Sequence, residues 1–296
     1  MMNYSERSAE YRNVINEALA DALVLKGTPK LLRDAMKYSV DAGGKRIRPC
    51  LTMGVCDMVN GNRRMAIKLA CGIEMIHTYS LIHDDLPCMD DDDMRRGRPS
   101  NHKVFGEGQA VLAGDGLLTY AFEWMLEAGL NFNDPNYYRA VAEIAKRAGV
   151  SGMIAGQSAD LMSENEGIKN EAELNYIHTR KTADMLIASV LAGAYCGNPT
   201  EEQLICLENY AQKIGLLFQI KDDILDAEGD FAVVGKTLGK DSAHNKLTFV
   251  SLYGLEKAKV LAESVAREAE RKLLDAFGDK CQYLYDTIYY ILNRSN

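Results

Sequence analysis

Two aspartate clusters carry the residue types and spacing most suited to chemistry: Asp84-Asp85-Leu86-Pro87-Cys88-Met89-Asp90 and Asp222-Asp223-Ile224-Leu225-Asp226. Each ends a strongly apolar helical pattern, where carboxylates need neutralising charge. Hard divalent cations take oxygen ligands, and Mg2+ is held by one or two carboxylates per site, with substrate phosphates and water completing its octahedron. The two clusters together therefore predict a clamp for a diphosphate.

On a helix, Asp222 and Asp226 are separated by about 400° and share a face, with Asp223 about 100° to the side and Gln219 one turn earlier. The first cluster cannot follow that projection. Pro87 lacks an amide hydrogen and disfavours continued helix, so Asp90 is expected to return toward Asp84 through a loop. Upstream, Ser80 and His77 lie four and seven residues before Asp84 and make a polar stripe on an otherwise apolar helix. A buried histidine is commonly a satisfied core residue, but alignment with an acidic cluster makes His77 a candidate for function.

Basic residues gather beside the acidic ones, at Gly43-Gly44-Lys45-Arg46-Ile47-Arg48-Pro49 and at Arg95-Arg96-Gly97-Arg98. Arginine forks bind phosphate oxygens bidentately and lysine adds a point charge. Such runs also serve as solvated faces or as partners for nearby aspartates. Next to two aspartate clusters the phosphate reading is preferred. The run Asp90 to Asp93 could instead be an exposed acidic loop or a calcium site, but it lacks the alternating ligands, the glycine and the terminal glutamate of an EF-hand. No nucleotide-binding G-x-x-x-x-G-K-[ST] loop and no local nucleophile motif is present.

The elements that must position these residues read as helices, because only six prolines occur and apolar residues recur at three- and four-residue spacing. Thr28-Pro29 and Asp134-Pro135 look like helix starts, and Thr200 to Gln203 is a capping box. Gly43-Gly44, Gly61 and Gly129 look like stops. A helix from Thr200 to Asp226, roughly 40 Å long, carries the stripe Leu204, Leu207, Tyr210, Ala211, Ile214, Phe218 and Leu225 toward a core. The expected fold is all-α, a large single-domain helical bundle across residues 1–296.

Bulk properties narrow the function. A net charge of -8, with 47% hydrophobic and 26% charged residues, describes a globular chain and argues against a nucleic-acid surface. Seven cysteines without a C-x-x-C pair fit reduced thiols in the cytoplasm. The charged N-terminal residues predict no signal peptide, and the longest uncharged stretch, Met185 to Thr200, is too short and polar for a membrane span.

Read together, GGKRIRP at 43 to 49, HTYSLIHDDLPCMDDDDMRRGRP at 77 to 99, HTRKTADML at 178 to 186, FQIKDDILD at 218 to 226 and GKTLGKD at 235 to 241 resemble the trans-isoprenyl diphosphate synthases, specifically the bacterial-type farnesyl diphosphate synthases. The match spans nearly the whole chain. The resemblance implies an all-α fold around a central cavity, a homodimer, and three Mg2+ ions holding an allylic diphosphate. It assigns Asp84 and Asp90, with Asp85, to one metal site and Asp222 and Asp226, with Asp223 supporting, to the other. Lys45, Arg48, His77 and Arg96 match positions that bind isopentenyl diphosphate. Arg95, Lys181, Thr182, Gln219 and Lys236 match positions that contact the allylic substrate, with Lys181 and Thr182 near the developing cation.

In that family a bulky aromatic five residues before the first aspartate floors the cavity. The matching residue is Tyr79, about 7.5 Å of helix rise below Asp84; with Ser80 beside it, Tyr79 favours a farnesyl (C15) over a geranylgeranyl (C20) product, although a tyrosine on a core helix has a bland reading too. The expected activity is condensation of dimethylallyl and geranyl diphosphates with isopentenyl diphosphate. The alternatives are a geranylgeranyl diphosphate synthase, a terpene cyclase or diphosphate lyase, and a silent prenyl-diphosphate-binding subunit. One departure from the family is Lys246-Leu-Thr-Phe-Val250, which lacks the usual proline at a helix entry.

Overall fold

The computed structural model describes residues 3–167, 170–229 and 247–295. The expected all-α fold is what it shows. Helices α1 (Tyr4–Ala22), α2 (Lys30–Val40), α3 (Ile47–Met58) and α4 (Arg63–Asp84) come first. A short antiparallel hairpin, Met94–Arg95 with Arg98–Pro99, is the only strand structure among the described residues. Then follow α5 (Asn101–Phe105), α6 (Glu107–Phe132), α7 (Pro135–Ala148), α8 (Met153–Glu166), α9 (Glu171–Ile177), a π-helical turn His178–Ala183, α10 (Asp184–Tyr195) and α11 (Glu201–Glu228). The described part ends with helices Phe249–Tyr253, Leu255–Phe277 and Gln282–Asn293.

The chain forms two compact units: the first runs to Ala142 and includes Ala192–Asn198, and the second comprises Glu143–Leu191 and the chain from Pro199. In the first, α4 is the central element and packs along α3 and α6. Asn62 starts it, accepting hydrogen bonds from the amides of Arg64 (3.0 Å) and Met65 (3.4 Å). Leu69, Ile73, Met75, Ile76 and Ile82 are fully buried, so apolar residues surround most of the helix rather than one stripe. Each such side chain contributes about 1.5–3 kcal/mol relative to exposure. By length and composition α4 could cross a membrane, but 72% of its apolar window is buried inside the protein, as a core helix requires.

In the second unit, α11 packs along Leu255–Phe277 and against the π-helical turn. Its start is the expected capping box: the Gln203 amide donates to Thr200 Oγ1 (3.2 Å) and the Thr200 amide to Gln203 Oε1 (3.0 Å). Leu207, Tyr210, Ala211 and Ile214 are buried as the stripe predicts, whereas Leu204, Phe218 and Leu225 are only half-buried, and Leu217, Ile220 and Ile224 take the core positions toward the C-terminal end of the helix. Tyr210 donates its hydroxyl to the Leu284 carbonyl at 2.8 Å, satisfying a buried polar group.

Two helix ends differ from their sequence signals. Gly129 does not stop α6, which continues to Phe132 and closes on Asn133 in the left-handed region (φ 48). Glycine is tolerated there inside a helix, and asparagine takes the terminating conformation. Thr28 provides no side-chain cap; Pro29 itself stands at the helix boundary before Lys30.

Candidate functional site

In the first unit the acidic motif folds as its proline requires. Helix α4 ends at Asp84, and the chain turns so that the Asp90 amide donates to the Asp84 carbonyl at 2.8 Å and the Asp91 amide to the Leu86 carbonyl at 3.1 Å. Residues six apart in sequence are thereby brought to one end of the helix. Asp85 is used differently: it is buried, and its carboxylate accepts from Nε (2.9 Å) and Nη2 of Arg95 on the hairpin. Burial works to lower the Arg95 guanidinium, but the Asp85 bond and the charges of Asp85, Asp92 and Asp84 raise it above its ordinary value. The pair fixes the hairpin to the end of α4.

Arg96, the next hairpin residue, adopts positive φ (53) and donates to the Gly43 carbonyl. A Cβ on Gly44 would lie 2.7 Å from the Arg96 guanidinium carbon, and Gly44 itself has φ +121. The backbone conformation calls for glycine there, and the Arg96 guanidinium fills the space a Cβ would take. The two basic runs of the sequence thus meet through Arg96 and the glycine pair. Within the first run, Arg46 is structural: it is buried against Glu74 (2.5 Å) and donates to the Val40 carbonyl (2.6 Å).

Arg48, His77 and Arg96 form an electropositive group. Burial, then the repulsion of Arg48, Arg96, Arg95 and Arg46, holds His77 well below its ordinary value, so its imidazole is neutral at pH 7. Arg48 is lowered by burial and by Arg96, only partly offset by Glu74, and its Nε is buried with no hydrogen-bond partner. Arg96 is lowered by burial and by Arg46 and Arg95, again only partly offset by Glu74. Lys45 is exposed beside them in sequence. Cations that depress one another and leave a buried donor unused are suited to receiving an anion.

Tyr79 is buried on α4 with its ring edge-on to His83, centroids 5.7 Å apart. Burial and the neighbouring Asp84 charge push its hydroxyl up to about 12. Ser80 donates its hydroxyl to the His77 carbonyl (3.0 Å), a local helix bond.

In the second unit, Asp222 and Asp226 occupy successive turns of α11, as the helix projection predicts, with Gln219 one turn before. Asp223 accepts the Phe249 amide at 2.7 Å, tying α11 to the helix that follows the departure at Lys246. There Thr248 supplies the N-cap, accepting the Ser251 amide at 3.1 Å, so the helix starts without a proline. Lys181 and Thr182 lie in the π-helical turn, where Lys181 pairs with Asp160 at 2.7 Å. Gly156 lets α8 reach that turn, since a Cβ there would sit 2.1 Å from the Lys181 amide nitrogen. Below it, fully buried Asp184 accepts Arg147 at 2.7 Å. Lys236 and Lys246 lie outside the described residues.

Sequence reading missed three partners. Glu74, which belongs to no motif, anchors Arg46. Asp160 belongs to no motif. Arg294 donates to Asp222 (2.6 Å) and to the Phe218 carbonyl (2.9 Å), with its guanidinium 3.9 Å from the Phe218 ring centroid. A lone arginine near a chain end carries no local signal, and only long-range packing reveals it. Asp84 and Asp90 in the first unit, and Asp222 and Asp226 in the second, each offer carboxylate oxygens, a chemistry that fits Mg2+ better than metals preferring nitrogen or sulfur.

Comparison with known proteins identifies the family. The polyprenyl synthetase family model matches residues 29–280. A chloroplastic geranylgeranyl pyrophosphate synthase from Capsicum annuum is 45% identical over 282 residues, covering 95% of this chain and 76% of that protein. A protein of the same name from Catharanthus roseus is 44% identical over 284 residues, covering 96% and 79%. The crystal structure of an FPP/GFPP synthase from Zymomonas mobilis superposes with a TM-score of 0.88 at 34% identity, over 98% of this chain and 99% of that one. The chain belongs to the polyprenyl synthetase family, the trans-isoprenyl diphosphate synthases.

Proposed function

We propose that the protein is a chain-elongating prenyltransferase, a single domain over residues 1–296, that condenses an allylic diphosphate with isopentenyl diphosphate. The observation that supports this best is the pair Arg48 and Arg96 beside neutral His77: the two positive charges are disfavoured by burial and by nearby cations, the buried Arg48 Nε has no hydrogen-bond partner, and an anion would relieve both. With Lys45 they bind isopentenyl diphosphate. Arg95, Lys181, Thr182, Gln219 and Lys236 act on the allylic substrate.

Mg2+, three ions held by Asp84, Asp90, Asp222 and Asp226, would supply the charge that stabilises a departing diphosphate. No protein nucleophile is then needed. The allylic C–O bond breaks with its electron pair on the diphosphate, assisted by the arginine and lysine donors. The double bond of isopentenyl diphosphate attacks the resulting cation, and the proton it sheds passes to the released diphosphate. The hydroxyl of Thr182 and the backbone carbonyl of Lys181 face positive charge favourably, and exclusion of water protects the cation from quenching.

The names of the curated relatives favour geranylgeranyl diphosphate as the product. A second reading, farnesyl diphosphate, is favoured by buried Tyr79 one and a half turns below Asp84. Incubation with dimethylallyl and isopentenyl diphosphates, followed by analysis of the dephosphorylated alcohols, decides between C20 and C15. Under the farnesyl reading Tyr79→Ala lengthens the product. Turnover that needs no isopentenyl diphosphate would overturn the elongation reading in favour of a cyclase or lyase. A cytoplasmic homodimer completes the proposal, seven scattered cysteines without a C-x-x-C pair suiting a reducing compartment; light scattering tests the dimer.

A further inference from the structure

We infer that Asp91, Asp93 and His102 form a separate divalent-cation site, selective for metals that accept an imidazole, such as zinc, manganese or cobalt, at the base of the arginine-bearing hairpin. One ligand atom from each residue lies within 4.8 Å of the other two. The carboxylates are exposed and short, and the imidazole is 6% exposed with both ring nitrogens buried and without a hydrogen-bond partner. Buried polar atoms are nearly always satisfied, so an imidazole with neither nitrogen used calls for a ligand. It lies within reach of two carboxylates, an arrangement that a cation would complete.

The donor set separates this site from the aspartates proposed for Mg2+. Magnesium and calcium take oxygen ligands, whereas an imidazole beside two carboxylates suits zinc and its first-row neighbours. Three protein ligands also leave coordination positions for water.

Local geometry says what such an ion would do. Asp91, in the left-handed region (φ 48), and Asp93 lie just before strand Met94–Arg95, and His102 lies just after strand Arg98–Pro99. The ends are already joined by the Ser100 amide donating to the Asp93 carbonyl at 2.9 Å. A cation would clamp both ends of the hairpin that carries Arg95 and Arg96. Lys103, 43% exposed, places its ammonium 2.7 Å from Asp93 Oδ1 and supplies positive charge at this edge of the cluster. It would compete with the ion.

The experiment uses chelator-treated full-length protein in millimolar Mg2+, which fills oxygen-only sites. Zn2+ is titrated calorimetrically, and Co2+ is followed by its visible absorption. The expected result is one equivalent of Zn2+ per chain, at least roughly tenfold weaker in His102→Gln and in Asp93→Asn, and tighter in Lys103→Ala because the competing charge is gone. Asp84→Asn, which removes a residue of the proposed Mg2+ site, should bind Zn2+ as the wild type does. Asp93→Asn and Lys103→Ala alter exposed side chains, so they report even if His102→Gln folds poorly. Equal Zn2+ binding by wild type and all three variants, no binding at all, or a cobalt spectrum dominated by thiolate charge transfer from exposed Cys88 would overturn the inference. These readouts do not depend on turnover, so failure of the prenyltransferase reading would appear separately, as absence of product.

Discussion

The two acidic motifs present their carboxylates by different structural means. The first is a loop folded back on itself: the Asp90 amide bonds the Asp84 carbonyl, and Asp85 is buried under Arg95. The second is an uninterrupted helix in which i, i+4 spacing alone puts Asp222 and Asp226 on one face. In the first, an arginine holds the carboxylate that is least exposed. In the second, Arg294 pairs with Asp222, whose side chain is 44% exposed. Loop geometry has to be held by buried charge pairs, whereas helix geometry needs only a rim contact.

The largest effect should be common to both motifs, because the metal-binding role proposed for both does not depend on how each is built. Asp84→Ala and Asp226→Ala should each lower turnover by about three powers of ten or more, measured as product formed in saturating Mg2+. Near-normal turnover in either would remove that motif from the proposed site.

The motifs should separate when their arginines are removed. Arg95→Ala leaves Asp85 buried without its bidentate partner and should destabilise the protein by about 3 kcal/mol, read as a drop in the denaturation midpoint, with a loss of activity as the hairpin loosens. Asp85→Asn, which removes the charge but keeps the shape, should cost less. Equal costs would mean that packing rather than charge pairing holds the first motif.

Acidity should also act through the first region. His77 is held well below its ordinary value by burial and by Arg48, Arg96, Arg95 and Arg46. The folded protein therefore resists protonation that the unfolded chain accepts, and its stability falls as pH drops below about 6.5. The contribution is fully present above that pH. Melting temperature against pH should flatten between pH 7 and 5.5 in His77→Gln, and a bound diphosphate should offset the loss by making protonation favourable. An unchanged profile in the variant would assign the acid sensitivity to other groups.

The same contrast explains what could be read from sequence. The all-α fold, the capping box at Thr200 and the shared face of Asp222 and Asp226 follow from periodicity and local chemistry, which short-range rules describe well. The return of Asp90 was legible because proline forbids the alternative. The division of labour within the basic runs was not. Arg46 and Arg48 are two residues apart, yet one is neutralised by Glu74 and the other has a buried Nε without a partner, a difference set by tertiary packing. The π-helical turn was hidden too: Gly156 of α8 packs against the Lys181 amide, a tertiary contact that no local pattern shows. Gly129 looked like a stop because glycine is a common helix terminator, but Asn133 takes the left-handed position instead.

The smallest effect tests the rim contact in the second motif. Arg294 is itself almost buried, stacked on Phe218 and bonded to the Phe218 carbonyl, while the carboxylate it reaches remains partly exposed. An ion pair with one exposed member contributes at most about 1 kcal/mol, so Arg294→Ala should barely move the unfolding midpoint through charge alone. The same arginine competes with any cation for Asp222. Removing it should therefore lower the Mg2+ concentration that gives half-maximal turnover by roughly twofold to fivefold, which is that energy expressed as a ratio. Arg95→Lys should not produce this shift, because Arg95 pairs with Asp85 and leaves Asp222 untouched. A rise in the Mg2+ requirement of Arg294→Ala would mean that Arg294 orients Asp222 for the metal rather than competing with it, and the second motif would then need arginine support as the first does.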